Sequence, residues 1–194
     1  AMAASSVFGP ARAQTEVDLA LVIAVDISYS MDMDELALQR SGFVEAFRSP
    51  IVHAAIERGT LGRIAVTYVE WAGTFDQKVL MPWTVIENGG DAVAFAERLS
   101  AMPTRRAQRT SISGVVDLGT KLLATSGLDA TRKVIDVSGD GPNNHGRPVE
   151  VARDEAVKAG VTSNGLPILL KRAGSLDIGD LEAGVELAGV LAPR

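Results

Sequence analysis

Asp26, Ser28 and Ser30 stand at alternate positions, directly after the apolar run Leu19-Ala20-Leu21-Val22-Ile23-Ala24-Val25. Alternate residues of an extended chain point to one side. One carboxylate and two hydroxyls are therefore presented together where a buried strand ends, and they converge if the chain curls as it leaves. A hard divalent cation takes that set: oxygen ligands, little charge, room for water. Two more polar groups occupy comparable places. Thr110-Ser111 opens a predicted helix, and Ser138-Gly139-Asp140-Gly141 follows another apolar strand. In an open α/β sheet, ligands collect at the carboxyl ends of the strands, where strand order reverses. With the first and fourth predicted strands adjacent at that reversal, all three loops meet. They then offer carboxylates from Asp26 and Asp140 and hydroxyls from Ser28, Ser30 and Thr110. Each residue also has an ordinary reading. Asp26 and Ser28 suit a helix cap, Thr110 suits an N-cap, and Asp140-Gly141 suits a turn extended by Asn143-Asn144.

The elements that must position these groups alternate between apolar runs and amphipathic segments, the pattern of an α/β domain with a mostly parallel sheet. Strands are predicted at residues 18–26, 63–71, 77–86, 133–138 and 161–170. Pro82 places the third on an edge, and the short connection before it, residues 72–76, makes it antiparallel. Helices are predicted at residues 34–48, 50–57, 91–102, 111–124 and 149–159. Asp32 and Asp34 suit the start of the first helix, and Ser49-Pro50 reads as an N-cap followed by proline at the first position of the second. Ile112, Val115, Val116, Leu118, Leu122 and Leu123 give the fourth a broad apolar face.

Composition narrows the function classes. The chain has 194 residues, a net charge of -5 and no cysteine. That excludes disulfides, thiolate metal sites and cysteine nucleophiles, and gives no global signal for nucleic acid or an anionic membrane. No stretch is long and apolar enough to span a bilayer as a helix. There is no phosphate-binding or dinucleotide-binding glycine loop, no G-x-S-x-G elbow and no zinc-spaced histidine pair. Ala11-Arg12-Ala13 before Gln14 resembles the end of a secretory signal peptide. Residues 1–16 are therefore expected to be a disordered tail or leader remnant, residues 17–194 the domain, and the protein periplasmic or secreted.

The order D-x-S-x-S, then a threonine opening a helix, then Asp-Gly after a buried strand, resembles the von Willebrand factor A domain over roughly residues 18–170. Segments such as GRIAVTYVEW, TSISG, VIDVSGDGPNN and NGLPILL resemble an uncharacterised, exported bacterial branch of that superfamily. The resemblance implies a three-layer α/β/α Rossmann-like fold. It implies a metal-ion-dependent adhesion site in which Ser28, Ser30 and Thr110 are hydroxyl ligands, while Asp26 and Asp140 hold the ion directly or through water. One position would stay open for an acidic side chain of a protein partner. Mg²⁺ suits two carboxylates, neutral oxygens and water, and Mn²⁺ also fits. The family fold closes with a sixth strand and a final helix, which the Gly-containing segment after Leu170 does not visibly supply. The fifth strand would then be an edge for a second copy or a partner strand.

Around this set, Arg105, Arg106 and Arg109 precede Thr110 and would attract an acidic partner, and His145 follows Asp140. Arg109 and His145 are the candidate partner-binding residues. Asp136, inside the fourth strand, is expected to be a hydrogen-bonded structural acid. His53, Trp71 and Trp83 are expected to pack. Two other functions compete with adhesion. One is metal-dependent hydrolysis, for which His145 or Asp136 would have to be the base. The other is a scaffold whose metal site is vestigial.

Overall fold

The structure, a computed structural model, describes residues 14–168. Its centre is β1 (Thr15–Asp26), which pairs in parallel with β2 (Ile64–Trp71) on one side and β4 (Leu128–Gly139) on the other. β3 (Gln77–Ile86) runs antiparallel beyond β2, and β5 (Thr162–Pro167) runs parallel beyond β4. The sheet order is β3-β2-β1-β4-β5. β1 and β4 are thus neighbours at the reversal, as the sequence pattern requires.

Alternation along β1 builds the two outer layers. Ala20, Val22 and Ala24 face α4 (Ile112–Ala124) and α5 (Val149–Lys158). Leu19, Leu21, Ile23 and Val25 face the opposite layer of α1 (Met33–Arg48), α2 (Pro50–Glu57) and α3 (Gly89–Ser100). Phe47, Phe95, Tyr68 and Leu99 fill that second core. At α4 the packing is close: a β-carbon on Gly119 would stand 2.7 Å from Ile135 Cδ1, so only glycine lets this helix sit so near the sheet.

Side-chain caps and a proline mark the starts of several elements. Asp32 caps α1 through the N–H groups of Asp34 and Glu35, and Glu35 returns a bond to the Asp32 N–H. Ser49 caps α2, with Pro50 at its first position. Pro82 lies in β3, at the sheet edge, where the ladder with β2 is irregular between Val66 and Tyr68. A missing N–H costs little there.

The observed elements differ from expectation mainly at the far end of the sheet. β1 starts at Thr15 and β4 at Leu128, three and five residues earlier than predicted. The two extensions pair with each other, Thr15 with Leu128 and Val17 with Ala130. Charged Asp129, Arg132 and Lys133 obscure this half of β4 in the sequence. Apart from residues 14–16, the expected N-terminal tail lies outside the described residues. So do Leu169, Leu170 and the segment where a sixth strand or closing helix would fall.

α3 packs with α1, and α4 packs with α5 on the other face. The connection between α3 and α4, residues 101–111, therefore crosses from one layer to the other over the carboxyl end of the sheet. It is bonded as it crosses: Ala107 N–H to Ile27 O (2.9 Å), Gly73 N–H to Gln108 O (3.2 Å) and Ser111 N–H to Ala72 O (2.8 Å).

Candidate metal centre

The β1 exit divides its side chains between two environments. Ile27 and Met31 turn down into a small core with Leu36, Ala72 and Ala107. Asp26, Ser28 and Ser30 are left on the other side. The Ile27 N–H bonds to Trp71 O, Met31 N–H to Ser28 O, and Ser28 bridges to Ala107 of the crossing loop. The curl that the D-x-S-x-S reading requires is thus fixed by backbone bonds and by two apolar anchors.

The polar side forms one chain of contacts. Asp26 Oδ1 accepts the Ser28 N–H at 2.7 Å. Ser28 Oγ and Ser30 Oγ are 2.7 Å apart, and Ser30 Oγ donates to Asp140 Oδ1 at 2.7 Å. A β-carbon on Gly141 would lie 3.7 Å from Ser30 Oγ and 3.9 Å from Thr110 Oγ1, so those two hydroxyls border one small space beside Gly141. Accessibility grades across the cluster: Asp26, Ser28 and Thr110 are buried, Asp140 is half-buried and Ser30 is exposed. The cluster is closed below and open to solvent above.

The helix caps fall to other residues. Asp32 caps α1, so Asp26 and Ser28 are free of that duty. Ser111, not Thr110, caps α4, accepting the Gly114 N–H at 3.2 Å. Thr110 is instead clamped by its backbone. Its N–H donates to Asn144 Oδ1 (2.9 Å), and its carbonyl accepts from the N–H groups of Asn144 and His145. Asn143 Oδ1 takes the Ser113 N–H one turn on. Asn143 and Asn144 do more than extend a turn: they tie the Asp140 loop to the Thr110 loop. Just before Thr110, Arg109 has φ of 70°, a left-handed backbone that a non-glycine residue adopts only under constraint.

The electrostatics of the centre turn on Asp26. Asp26 Oδ2 is buried and has no hydrogen-bond partner. Burial pushes the Asp26 carboxyl up to about 7; bonds from Ser28 and a contact with the Asp140 N–H oppose the rise, and the nearby Asp140 charge adds to it. A β-carbon on Gly139 would stand 2.9 Å from that same Oδ2, so glycine is what lets β4 pass so close. Two carboxylates, one with a buried oxygen that no side chain or backbone group bonds, and three hydroxyls fit a hard divalent ion. Among the described residues no group of three or more His, Asp or Glu side chains is placed to hold a metal ion, so the hydroxyls would have to supply much of the shell.

Of the remaining candidates, His145 and Arg109 border the centre and the others fall elsewhere. Asp136 accepts from Asn164 Nδ2 at 2.7 Å, and burial raises its carboxyl. His145 is held to the β2–β3 hairpin, its Nδ1 3.2 Å from both Thr74 N and Thr74 Oγ1. His53 Nε2 contacts Phe47 O at 2.7 Å, Trp71 is buried and Trp83 packs on the core. Arg109 is exposed, whereas Arg105 and Arg106 are engaged. Arg106 donates to Tyr29 O and lies over the Tyr29 ring. Arg105 joins fully buried Glu70 to Asp76, and Glu70 also pairs with Arg40 of α1 at 2.6 Å. The sequence offered one signal for this buried network, a lone acid in the apolar strand IAVTYVEW.

The family model described as "Protein of unknown function (DUF1194)" matches residues 16–184. The chain belongs to the DUF1194 family. No curated protein matches its sequence. Solved structures supply the architecture. Proximal thread matrix protein 1 from the mussel byssus superposes with a TM-score of 0.60 at 16% identity, covering 78% of this chain and 38% of that one. One structure of that protein has a zinc-occupied MIDAS motif, the metal-ion-dependent adhesion site. An aerotolerance-related membrane protein from Bacteroides fragilis gives 0.51 at 21% identity, covering 82% and 75%. The pilus adhesin SpaC from Lactobacillus rhamnosus GG gives 0.52 at 14% identity, covering 77% and 24%. The DUF1194 chain thus has a fold of the von Willebrand factor A type, and it spans well under half the length of the mussel protein.

Proposed function

We propose that the protein is a divalent-cation-dependent protein-binding module. In this reading Asp26, Ser28, Ser30, Thr110 and Asp140 hold Mg²⁺ or Mn²⁺, and one position stays open for a carboxylate of the partner. The observation that carries it is the buried, unpartnered Asp26 Oδ2 at the root of the Ser28–Ser30–Asp140 chain. A divalent ion would compensate that charge. With few protein charges around it, the ion would stay electrophilic toward an incoming acid. Zinc in the MIDAS motif of the mussel protein supports a divalent ion in a site of this type.

Export is part of the reading. Ala11-Arg12-Ala13 supports a processed leader, and the similar folds include a byssus matrix protein and a pilus adhesin. No helix among the described residues is long and apolar enough to cross a membrane.

Calorimetric titration with Mg²⁺, Mn²⁺ and Zn²⁺ tests the site. Binding by the parent, lost in both Asp26→Ala and Asp140→Ala, is expected. Equal binding by either variant and the parent sinks the assignment.

A further inference from the structure

The face around Thr110 carries apolar surface that the fold does not use. Phe75, at the tip of the β2–β3 hairpin, is 97% exposed, and Tyr29, between the two serines, is 55% exposed. Both lie on loops tied by hydrogen bonds. The hairpin is closed by Ala72 N–H to Asp76 O (2.9 Å) and Asp76 N–H to Gly73 O (3.1 Å), and Arg105 holds Asp76 from outside. Thr74 is fastened to His145, whose ring meets Phe75 edge-on at 6.3 Å. Tyr29 is held between its neighbours by Arg106, 5.0 Å above its ring. Two exposed rings thus project from loops that are bonded to the Thr110 segment, one through Thr74 and His145 and the other through Arg106. Holding a solvated phenylalanine in place brings the fold no burial. The bonded hairpin does spare a binding partner part of the entropy of ordering that loop.

We propose that Phe75 with His145, and Tyr29 with Arg106, form the flanks of the partner surface, and that the partner presents an acidic residue next to an aromatic or long aliphatic one. The acid goes to the metal position and toward exposed Arg109. The apolar neighbour goes onto Phe75. Charge complementarity selects this occupant: Arg106, Arg109 and the cation are positive, and Asp76, the acid beside Phe75, is already paired with Arg105. The proposal rests on the metal-dependent reading above and adds the chemistry of the residue beside the acid.

A phage-displayed library of cyclic peptides, panned on the full chain in Mg²⁺ and eluted with a chelator, tests it. Phe75→Ser serves as the key variant, because the side chain is exposed and its loss leaves no cavity. The expected selections on the parent carry Asp or Glu beside Trp, Phe or Leu. On Phe75→Ser the acid and the Mg²⁺ requirement persist, while the apolar neighbour is no longer selected. A synthetic peptide from the parent selection should bind Phe75→Ser roughly tenfold or more weakly by fluorescence anisotropy. Equal affinity, acids without an apolar neighbour, or no enrichment over a blank surface overturns the proposal. Peptides that bind equally in chelator, or to Asp26→Ala, defeat the metal reading beneath it. Mg²⁺-dependent dimerisation in sedimentation, lost in Phe75→Ser, would assign the face to a second copy and also overturn it.

Discussion

Asp26→Asn should make the metal-free protein more stable at pH 8 while removing metal binding. Asn keeps the acceptor for the Ser28 N–H and discards the buried charge. The folded carboxyl titrates at about 7, against 3.8 as its ordinary value. Above pH 7 both states carry the charge, and the folded state bears the full cost of burying it. Between 3.8 and about 7 the folded state holds a proton that the unfolded chain has lost, so stability falls as pH rises through this window. Below 3.8 the cost is absent. The gap amounts to roughly 4 kcal/mol. Part of the gain is lost because the new amide still lacks a partner, which costs about 1–3 kcal/mol. A net gain of about 1–3 kcal/mol, or roughly 2–10 °C in Tm for a chain of this size, is expected at pH 8. Thermal denaturation in chelator at pH 5 and pH 8 measures it. The advantage should shrink at pH 5, and added Mg²⁺ should raise the parent only. A variant no more stable than the parent at pH 8, or with the same pH dependence, would refute the reasoning that Asp26 is an uncompensated buried charge.

Four further substitutions separate site from scaffold. Thr110→Ala should weaken Mg²⁺ binding in calorimetry and change the metal-free Tm little, whereas Ser111→Ala should cost about 1 kcal/mol of stability by uncapping α4. Gly139→Ala should push the Asp26 carboxylate aside, because the new methyl would stand 2.9 Å from Oδ2, and metal affinity should fall at least tenfold in the same titration. Glu70→Gln should leave Arg40 and Arg105 short of their counter-charge and cost on the order of 3–5 kcal/mol, read as a lower midpoint in urea.

The legible parts of this molecule were those written in local patterns. Pro82 located the edge strand, Ser49-Pro50 the second helix, and the apolar runs the central strands, because each depends on a few adjacent residues. Asp26, Ser28, Ser30, Thr110 and Asp140 were legible as a group because their order along the chain maps onto loops at one end of a parallel sheet. What stayed hidden depends on distant pairing. The early half of β4 is strand only because Thr15–Val17 lies beside it. The choice of Ser111 over Thr110 as the helix cap, and the grip of Asn144 on Thr110, follow from where residues 101–111 cross the sheet, which no short window reveals. The Arg40–Glu70–Arg105 network joins a helix, a strand and a loop, and its only local trace was one acid in an apolar run.

The separation between the parts of the centre bears on kinetics. Ser30 and Asp140 touch across 110 residues, and their contact requires β1 and β4 to have paired already. Contacts closed over such long loops form late in folding. An ion bound there would find no site in the unfolded chain or in an early transition state. It would leave the folding rate nearly unchanged and slow unfolding instead. An ion at this centre would act as a lock on a fold already made.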